Sequence, residues 1–144
     1  GGNGRAAACH CPRCQEAFRT WLKDRYQTLE ALNASWWTSF WSHTYSDWSQ
    51  IRSASPRGED VLNGLKLDWK RFVSHQLLDF CKEEIRAVRE YSKLPVTTNM
   101  MGFYKPLDYF KWAKELDIIS WDCYPDWCEA LRNHFFLLCS APRP

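Results

Sequence analysis

The second half of the sequence alternates between helical and extended patterns, and this order constrains the fold more than any other feature. From Leu67 to about Tyr91 apolar side chains recur at helical spacing, and a short β-branched run, LPVTTNMMGF, follows. KPLDYFKWAKEL then predicts a helix that begins at Pro106, and LDIISWDCYP predicts a second buried strand. The order helix, strand, helix, strand is typical of a parallel α/β sheet. Because parallel sheets are covered on both faces and rarely stop at two strands, the pattern predicts a slice of an α/β barrel or doubly wound fold.

Two shorter helices are predicted ahead of this region. QEAFRTWLKDRY carries apolar residues at helical spacing, and TLEALNASW predicts a second helix with Thr28 as its N-cap. The next stretch, WTSFWSHTYSDW, has no helical period and is interpreted as an ordered loop. In the long helix Asp68 is expected at the start, and one broad face is expected to contain Trp69, Phe72, Val73, Gln76, Leu77, Phe80, Ile85 and Val88. In the helix after Pro106, the residues expected to face inward are Leu107, Phe110 and Ala113.

Composition excludes several classes of function. The 144 residues suffice for one modest domain, and the net charge of +2 without a long basic run argues against a nucleic-acid partner. Aromatic residues make up 16% of the chain, including nine tryptophans, which is more flat apolar surface than a small core can bury. That surface requires either a binding cleft or burial against protein outside this chain.

The cysteine content and the hydropathy pattern bear on the cellular compartment. No apolar run reaches the roughly 18 to 20 residues that a membrane span requires, so no membrane partner is expected. The seven cysteines are an odd number and four of them are scattered, unlike the disulfide framework of a small secreted domain. These features predict a reducing compartment and a cytoplasmic location.

The remaining three cysteines form a cluster, CHCPRC, near the start of the chain. Cys9, Cys11 and Cys14 place three soft thiolates on one tight turn, which suits a tetrahedral, structural zinc with one ligand outstanding. His10 would have to fold back between its neighbours, so a fourth ligand from elsewhere is favoured. The alternatives are three ordinary cysteines, or a redox pair formed by Cys11 and Cys14.

Polar and aromatic residues meet at the predicted strand ends, where α/β folds carry their chemistry. Asn99 and Asp122 can hydrogen-bond sugar hydroxyls, and flat faces for a pyranose ring are offered by Trp41, Trp121 and Tyr124. Each residue taken singly has an ordinary alternative, as a turn cap or a core aromatic residue. Together they favour a carbohydrate site. His43 and His75 are expected to be surface or structural residues, since neither has a nucleophile context.

Three blocks of the sequence resemble the glycoside hydrolase family 42 β-galactosidases, in order from about Gly1 to Trp127. The blocks are CHCPRCQEAFRTWLKDRYQTLEALNASWWTSFWSHTYSDW, LKLDWKRFVSHQ and PVTTNMMGFYKPLDYFKWAKELDIISWDCYP. The resemblance implies a (β/α)8 barrel that hydrolyses terminal β-galactosides with retention by means of two glutamates. It also implies a structural zinc at Cys9, Cys11 and Cys14, with a fourth cysteine from upstream, and a galactose pocket that Trp41 and Tyr124 line.

By this resemblance the chain covers part of a barrel, from about the fourth helix to the sixth strand. Residues 1–127 are expected to belong to the catalytic barrel, and 128–144 to be a divergent tail. Both catalytic glutamates are expected to fall outside the sequence, so the chain alone is expected to be inactive. The parent enzyme is expected to be a homo-oligomer, often a trimer. The alternative functions are a zinc-stapled, non-catalytic sugar-binding module and a small zinc-stapled interaction protein.

Overall fold

The computed structural model describes Cys9 and residues 11–54, 62–101, 104 and 106–122. The described elements, in chain order, are α1 (Pro12–Tyr26), α2 (Leu29–Trp36), two 3₁₀ turns (Phe40–Ser42 and Trp48–Gln50), α3 (Asn63–Arg89), β1 (Asn99–Met101), α4 (Tyr109–Trp112) and β2 (Ser120–Asp122). The chain divides into two compact units, residues 1–75 and 76–144. None of the helices in the described part is long and apolar enough to cross a membrane.

Local sequence signals account for the boundaries of the first two helices. Pro12 occupies the first position of α1, where its missing N–H costs no hydrogen bond. The hydroxyl of Thr28 accepts a hydrogen bond from the backbone N–H of Ala31, which confirms Thr28 as the N-cap of α2. Trp37 ends α2 in the left-handed conformation, with φ of 53°.

The core of the first unit joins α1, α2, the segment after the second 3₁₀ turn and the beginning of α3. Its buried residues are Phe18, Leu22, Leu32, Trp36, Ile51, Trp69 and Phe72. The rings of Phe18 and Trp69 meet edge to face with centroids 5.0 Å apart, a preferred geometry for aromatic pairs. The helical period in the sequence thus correctly identifies the buried side of α1.

The second unit packs one face of a two-stranded parallel sheet on helices. The strands β1 and β2 pair in parallel, with Asn99 opposite Ser120 and Met101 opposite Asp122. Met100 points the other way and is buried with Leu78, Cys81, Trp112 and Leu116. The predicted parallel pairing of two strands after the long helix is confirmed, although each described strand is only three residues long.

Several details of the helices differ from the sequence-based expectation. The long helix begins at Asn63, so Asp68 lies within it, and Asp68 is buried rather than at an exposed start. Leu77, Phe80 and Val88 were expected on the broad face with Trp69, but all three are exposed, Phe80 by 63%. A 3.6-residue period identifies an apolar stripe but does not say how much of the stripe the chain itself can cover.

The helix after β1 also differs from the expectation. Pro106 lies in a turn, and α4 begins after Asp108, whose carboxylate accepts a hydrogen bond from the Lys111 backbone. Phe110 was expected to face inward but is 87% exposed, and Trp112 is buried in its place. Asp108 is a stronger helix-start signal than Pro106, because its side chain accepts a hydrogen bond from a free backbone N–H of the first turn.

Candidate functional site

The cysteine cluster lies at the N-terminal end of α1. Cys11 is the N-cap residue, in an extended conformation, and Cys14 follows in the first turn of the helix. The sulfur atoms of Cys9, Cys11 and Cys14 all lie within 4.8 Å of one another, so the structure brings together the three predicted ligands. Cys9 and Cys11 are exposed and Cys14 is partly buried.

This arrangement fits tetrahedral zinc. Zinc–sulfur bonds of about 2.3 Å place the sulfurs of two ligands about 3.8 Å apart, so small side-chain rotations would complete the geometry. Within the part of the chain that the structure describes, the group contains these three ligands and no fourth. His10 lies outside the described residues. Three thiolates without a carboxylate suit a structural metal rather than one that activates water.

Hydrogen bonds within the cluster give the thiols of Cys11 and Cys14 different pKa values. The pKa of Cys11 is lowered to about 7, first because the backbone N–H of Cys14 donates to its sulfur, and then through the side chains of Cys9 and Cys14. The pKa of Cys14 is raised to about 12, because its thiol donates to the sulfurs of Cys9 and Cys11. The cluster thus holds one thiolate near neutral pH, and metal binding would release the remaining protons.

An amide clamp fixes the helix that carries the cluster. The side chain of Gln15 donates to the hydroxyl of Ser53 over 2.6 Å and accepts from the Ser53 backbone N–H over 2.8 Å. One turn later, Arg19 donates to the backbone oxygen of Ile51 over 3.2 Å. The sequence carries no signal for this contact, since Gln15 and Ser53 are 38 residues apart.

A buried carboxylate holds the three helices of the first unit together. Asp68 on α3 accepts hydrogen bonds from the Tyr26 hydroxyl over 2.6 Å, the Trp36 indole over 2.9 Å and Arg71 over 2.9 Å. Arg25 adds an ion-pair contact at 3.6 Å. Sequence reasoning missed this role, although a lone aspartate within an apolar helical stripe is a usable signal for a buried polar contact.

The structure describes the positions of four of the five predicted sugar-binding residues. Asn99 is the first residue of β1 and is exposed, and it lies opposite Ser120 rather than Asp122, which ends β2. Trp121 lies in β2 opposite Met100. Trp41 lies in the 3₁₀ turn of the first unit, and Tyr124 lies outside the described residues. Their role as a sugar site stays a prediction.

A tyrosine that the sequence analysis did not identify fastens the end of β1. The Tyr109 hydroxyl contacts the backbone oxygen of Met101 and lies 3.1 Å from that of Tyr104. Burial raises the pKa of the Tyr109 phenol, so it stays protonated and able to donate. The contact restrains the backbone that leaves β1 after Met101.

Comparisons with known proteins agree on one family. The family model Glyco_hydro_42, described as beta-galactosidase, matches residues 2–140. Beta-galactosidase BglY of Alicyclobacillus acidocaldarius is 58% identical over 126 residues, which are 87% of this chain and 18% of that protein. Beta-galactosidase GanA of Bacillus subtilis is 53% identical over 127 residues, which are 83% of this chain and 19% of that protein.

Solved structures give the same result. Gan42B, a GH42 beta-galactosidase from G. stearothermophilus, superposes with a TM-score of 0.79 at 57% identity, over 83% of this chain and 19% of that one. The beta-galactosidase from Rahnella sp. R3 gives a TM-score of 0.79 at 55% identity, over 88% and 18%. The chain spans about a fifth of the length of each relative.

Proposed function

Because the chain belongs to glycoside hydrolase family 42, the beta-galactosidases, we propose that it is part of the catalytic barrel of an enzyme that hydrolyses terminal β-D-galactosides with retention. The family match over residues 2–140 is the observation that carries this proposal. In it, residues 1–127 contribute the fourth helix to the sixth strand of a (β/α)8 barrel, and 128–144 form a tail, of which 128–140 still lie within the family match. The parent enzyme would be a homo-oligomer, as the family resemblance implies.

The difference in burial between the two faces of the β1–β2 sheet supports the proposal that the chain is part of a barrel. Met100 is buried against helical residues, whereas Asn99 and Met101 on the opposite face are exposed. In a (β/α)8 barrel every strand packs on helices outside and on layers of side chains inside. The exposed face of this sheet corresponds to the inner face of such a barrel, which other strands would cover.

The described glutamates support the proposal that the catalytic pair lies elsewhere. A retaining glycosidase needs a nucleophile and an acid/base carboxyl about 5 to 5.5 Å apart. In the described part of the chain, β1 and β2 contain no glutamate, and Glu16 and Glu83 form exposed ion pairs with Arg19 and Arg86. Arg19 holds the pKa of Glu16 below its usual value, which makes it a poor proton donor.

Within this proposal the strand-end residues bind the sugar rather than break the bond. Asn99 and Asp122 would hydrogen-bond galactose hydroxyls, and Trp41, Trp121 and Tyr124 would stack on or border the ring. Asn99 is exposed, and Tyr109 contacts the backbone oxygen of Met101 at the other end of the same strand, which supports an ordered strand under this polar group. Stacking of aromatic faces on apolar ring surfaces is a general means of sugar recognition in such clefts.

A segment exchange tests the proposed function. The matching segment of GanA is replaced by this chain, and hydrolysis of o-nitrophenyl β-D-galactoside is measured beside intact GanA and the isolated chain. We expect the exchanged protein to retain activity within about tenfold, and the isolated chain to match a mock preparation. A folded but inactive exchange would contradict the barrel role, and activity of the isolated chain would contradict the location of the glutamates.

A structural zinc at Cys9, Cys11 and Cys14 is part of the proposal. The three sulfurs within 4.8 Å support it. Metal content by mass spectrometry of the exchanged protein should be one zinc per chain, falling below a tenth of that in Cys11→Ser. Unchanged zinc in Cys11→Ser would place the metal elsewhere. Saturable quenching of tryptophan fluorescence by galactose in the isolated chain would instead favour the sugar-binding module.

A further inference from the structure

We propose that Cys11 and Cys14 form a thiol–disulfide exchange site, at which a small disulfide such as oxidised glutathione joins the two sulfurs. The exchange itself rests on the geometry of the thiol cluster alone. Its consequence for the metal rests on the zinc role proposed above, because the disulfide would remove two of the three zinc ligands. The cluster would then bind zinc only in its reduced form.

The backbone places these two cysteines within reach of a disulfide. Cys11 is the N-cap of α1 and Cys14 lies three residues later in its first turn. Residues three apart on a helix have Cβ atoms about 5 to 6 Å apart, close to the range of roughly 3.5 to 4.5 Å that a disulfide needs. The sulfurs already lie within 4.8 Å, so side-chain rotation and a small adjustment at the non-helical N-cap suffice.

Differences in exposure assign separate roles to the two thiols. Cys11 is exposed and accessible to a disulfide from solution, whereas Cys14 is partly buried beside it. The positive end of the α1 dipole favours negative charge on the attacking sulfur. Cys81 is buried in the second unit and serves as an internal thiol that should not react.

The exchange proceeds in two balanced steps. Cys11 gives its proton to water and attacks one sulfur of oxidised glutathione, whose S–S bond breaks and releases one glutathione. Cys14 then gives up its proton and attacks the Cys11 sulfur of the mixed disulfide, which releases the second glutathione. Two protein thiols are oxidised and one glutathione disulfide is reduced to two glutathione molecules.

Arg13, which separates the two cysteines, makes the product easy to identify. Trypsin cleaves after Arg13, so Cys11 falls with Cys9 in peptide 6–13 and Cys14 in peptide 14–19, and fragmentation of the linked product tells Cys11 from Cys9. After incubation of the full metal-free chain with oxidised glutathione, mass spectrometry should show these two peptides linked. We expect more than half of the chain in the linked form and the Cys81 peptide unlinked. Free Cys11 and Cys14 after this treatment would overturn the proposal.

Two variants define which sulfurs react. In the double variant Cys9→Ser, Cys14→Ser, which leaves Cys11 without a neighbouring thiol in the cluster, the reaction should stop with glutathione attached to peptide 6–13. In Cys9→Ser the linked peptides should form within about twofold of the wild-type rate, because Cys9 is not a partner. Loss of the link in Cys9→Ser, with the circular dichroism spectrum unchanged, would overturn the assignment to Cys11.

Zinc provides the last comparison. Addition of one equivalent of zinc before glutathione should slow formation of the linked peptides at least tenfold. Equal rates with and without zinc would overturn the coupling to the metal while leaving the exchange itself intact. Because the readout is a peptide mass rather than galactoside hydrolysis, failure here is distinguishable from failure of the proposed function.

Discussion

At the scale of single residues, the stability of the first unit depends on one carboxylate. Asp68 is 1% exposed and accepts hydrogen bonds from Tyr26, Trp36 and Arg71, which lie on three different helices. Bonds to a charged acceptor are worth about 1.5 to 3 kcal/mol each, but their net worth is smaller after desolvation of the carboxylate. The arginine partners are partly exposed and regain water when the carboxylate is removed.

Replacement of Asp68 by alanine should lower the free energy of unfolding by about 3 kcal/mol, because the Trp36 indole and Tyr26 hydroxyl lose their acceptor. Urea unfolding followed by tryptophan fluorescence measures the change. The control is Glu83→Ala, which removes an exposed i,i+3 ion pair and should cost less than about 0.5 kcal/mol. Equal losses in the two variants would contradict the role of Asp68.

The acidity of Cys11 gives a second prediction at this scale. Only the thiolate is alkylated, and a pKa lowered to about 7 moves the rise in reactivity two pH units below the usual thiol value of 9. In the metal-free wild-type chain, alkylation of Cys11 by iodoacetamide, located by fragmentation of peptide 6–13, should have its midpoint near pH 7. Peptide 14–19 should stay unmodified to above pH 9, because the pKa of Cys14 is raised to about 12.

At the scale of elements, the start of α3 packs closely against the end of α2 at Gly64. A Cβ atom at Gly64 would lie 2.5 Å from Cδ1 of Trp36, whose ring is buried and whose indole N–H is held by Asp68. The ring therefore has little freedom to move. A glycine near the start of a long helix here serves close packing rather than a turn.

Replacement of Gly64 by alanine should therefore destabilise the first unit by roughly 1 to 3 kcal/mol through overpacking, although alanine favours helices by up to about 1 kcal/mol. Thermal unfolding of the variant gives the sign of the change. Lys70→Ala, on the exposed side of the same helix, is the matched control and should change little. A stabilised Gly64→Ala protein would show that the Trp36 ring can shift.

The elements also show where sequence reasoning succeeds. The Thr28 cap, the buried face of α1 and the parallel pairing of two strands follow from local signals, and the structure confirms them. The start of α3 and the exposure of Phe110 do not follow, because they depend on contacts distant in sequence. Cys9, Cys11 and Cys14 meet because the spacing itself forces them together, whereas the clamp between Gln15 and Ser53 required the fold.

At the scale of the whole molecule, the second unit carries more apolar surface than it covers. Leu77, Phe80 and Val88 lie on one exposed stripe of α3, and Tyr91 continues it beyond the helix. Exposed large apolar residues on one side of a helix favour a contact with other protein. In the barrel proposed above, the remaining strands and helices would supply that contact.

Replacement of Phe80 by lysine should benefit the isolated chain and harm the GanA exchange protein. The isolated chain should become less prone to self-association, measured by light scattering, because its apolar stripe is interrupted. The GanA exchange protein should lose thermal stability, because the barrel proposed above would bury the stripe there. Lys82→Ala is the control, since it removes only a weak 3.7 Å contact with Glu115. Reduced self-association of the isolated chain without a loss of thermal stability in the exchange protein would argue against a covered stripe.

The clamp between Gln15 and Ser53 makes the segment after the second 3₁₀ turn responsive to the cysteine cluster. The Ser53 backbone N–H donates to a side chain that lies one residue after Cys14, so ordering of the first turn of α1 by a metal would also order this bond. Zinc should therefore slow hydrogen–deuterium exchange at Ser53, and Gln15→Ala should abolish that protection. The metal's influence would then extend 38 residues along the chain through a single amide side chain.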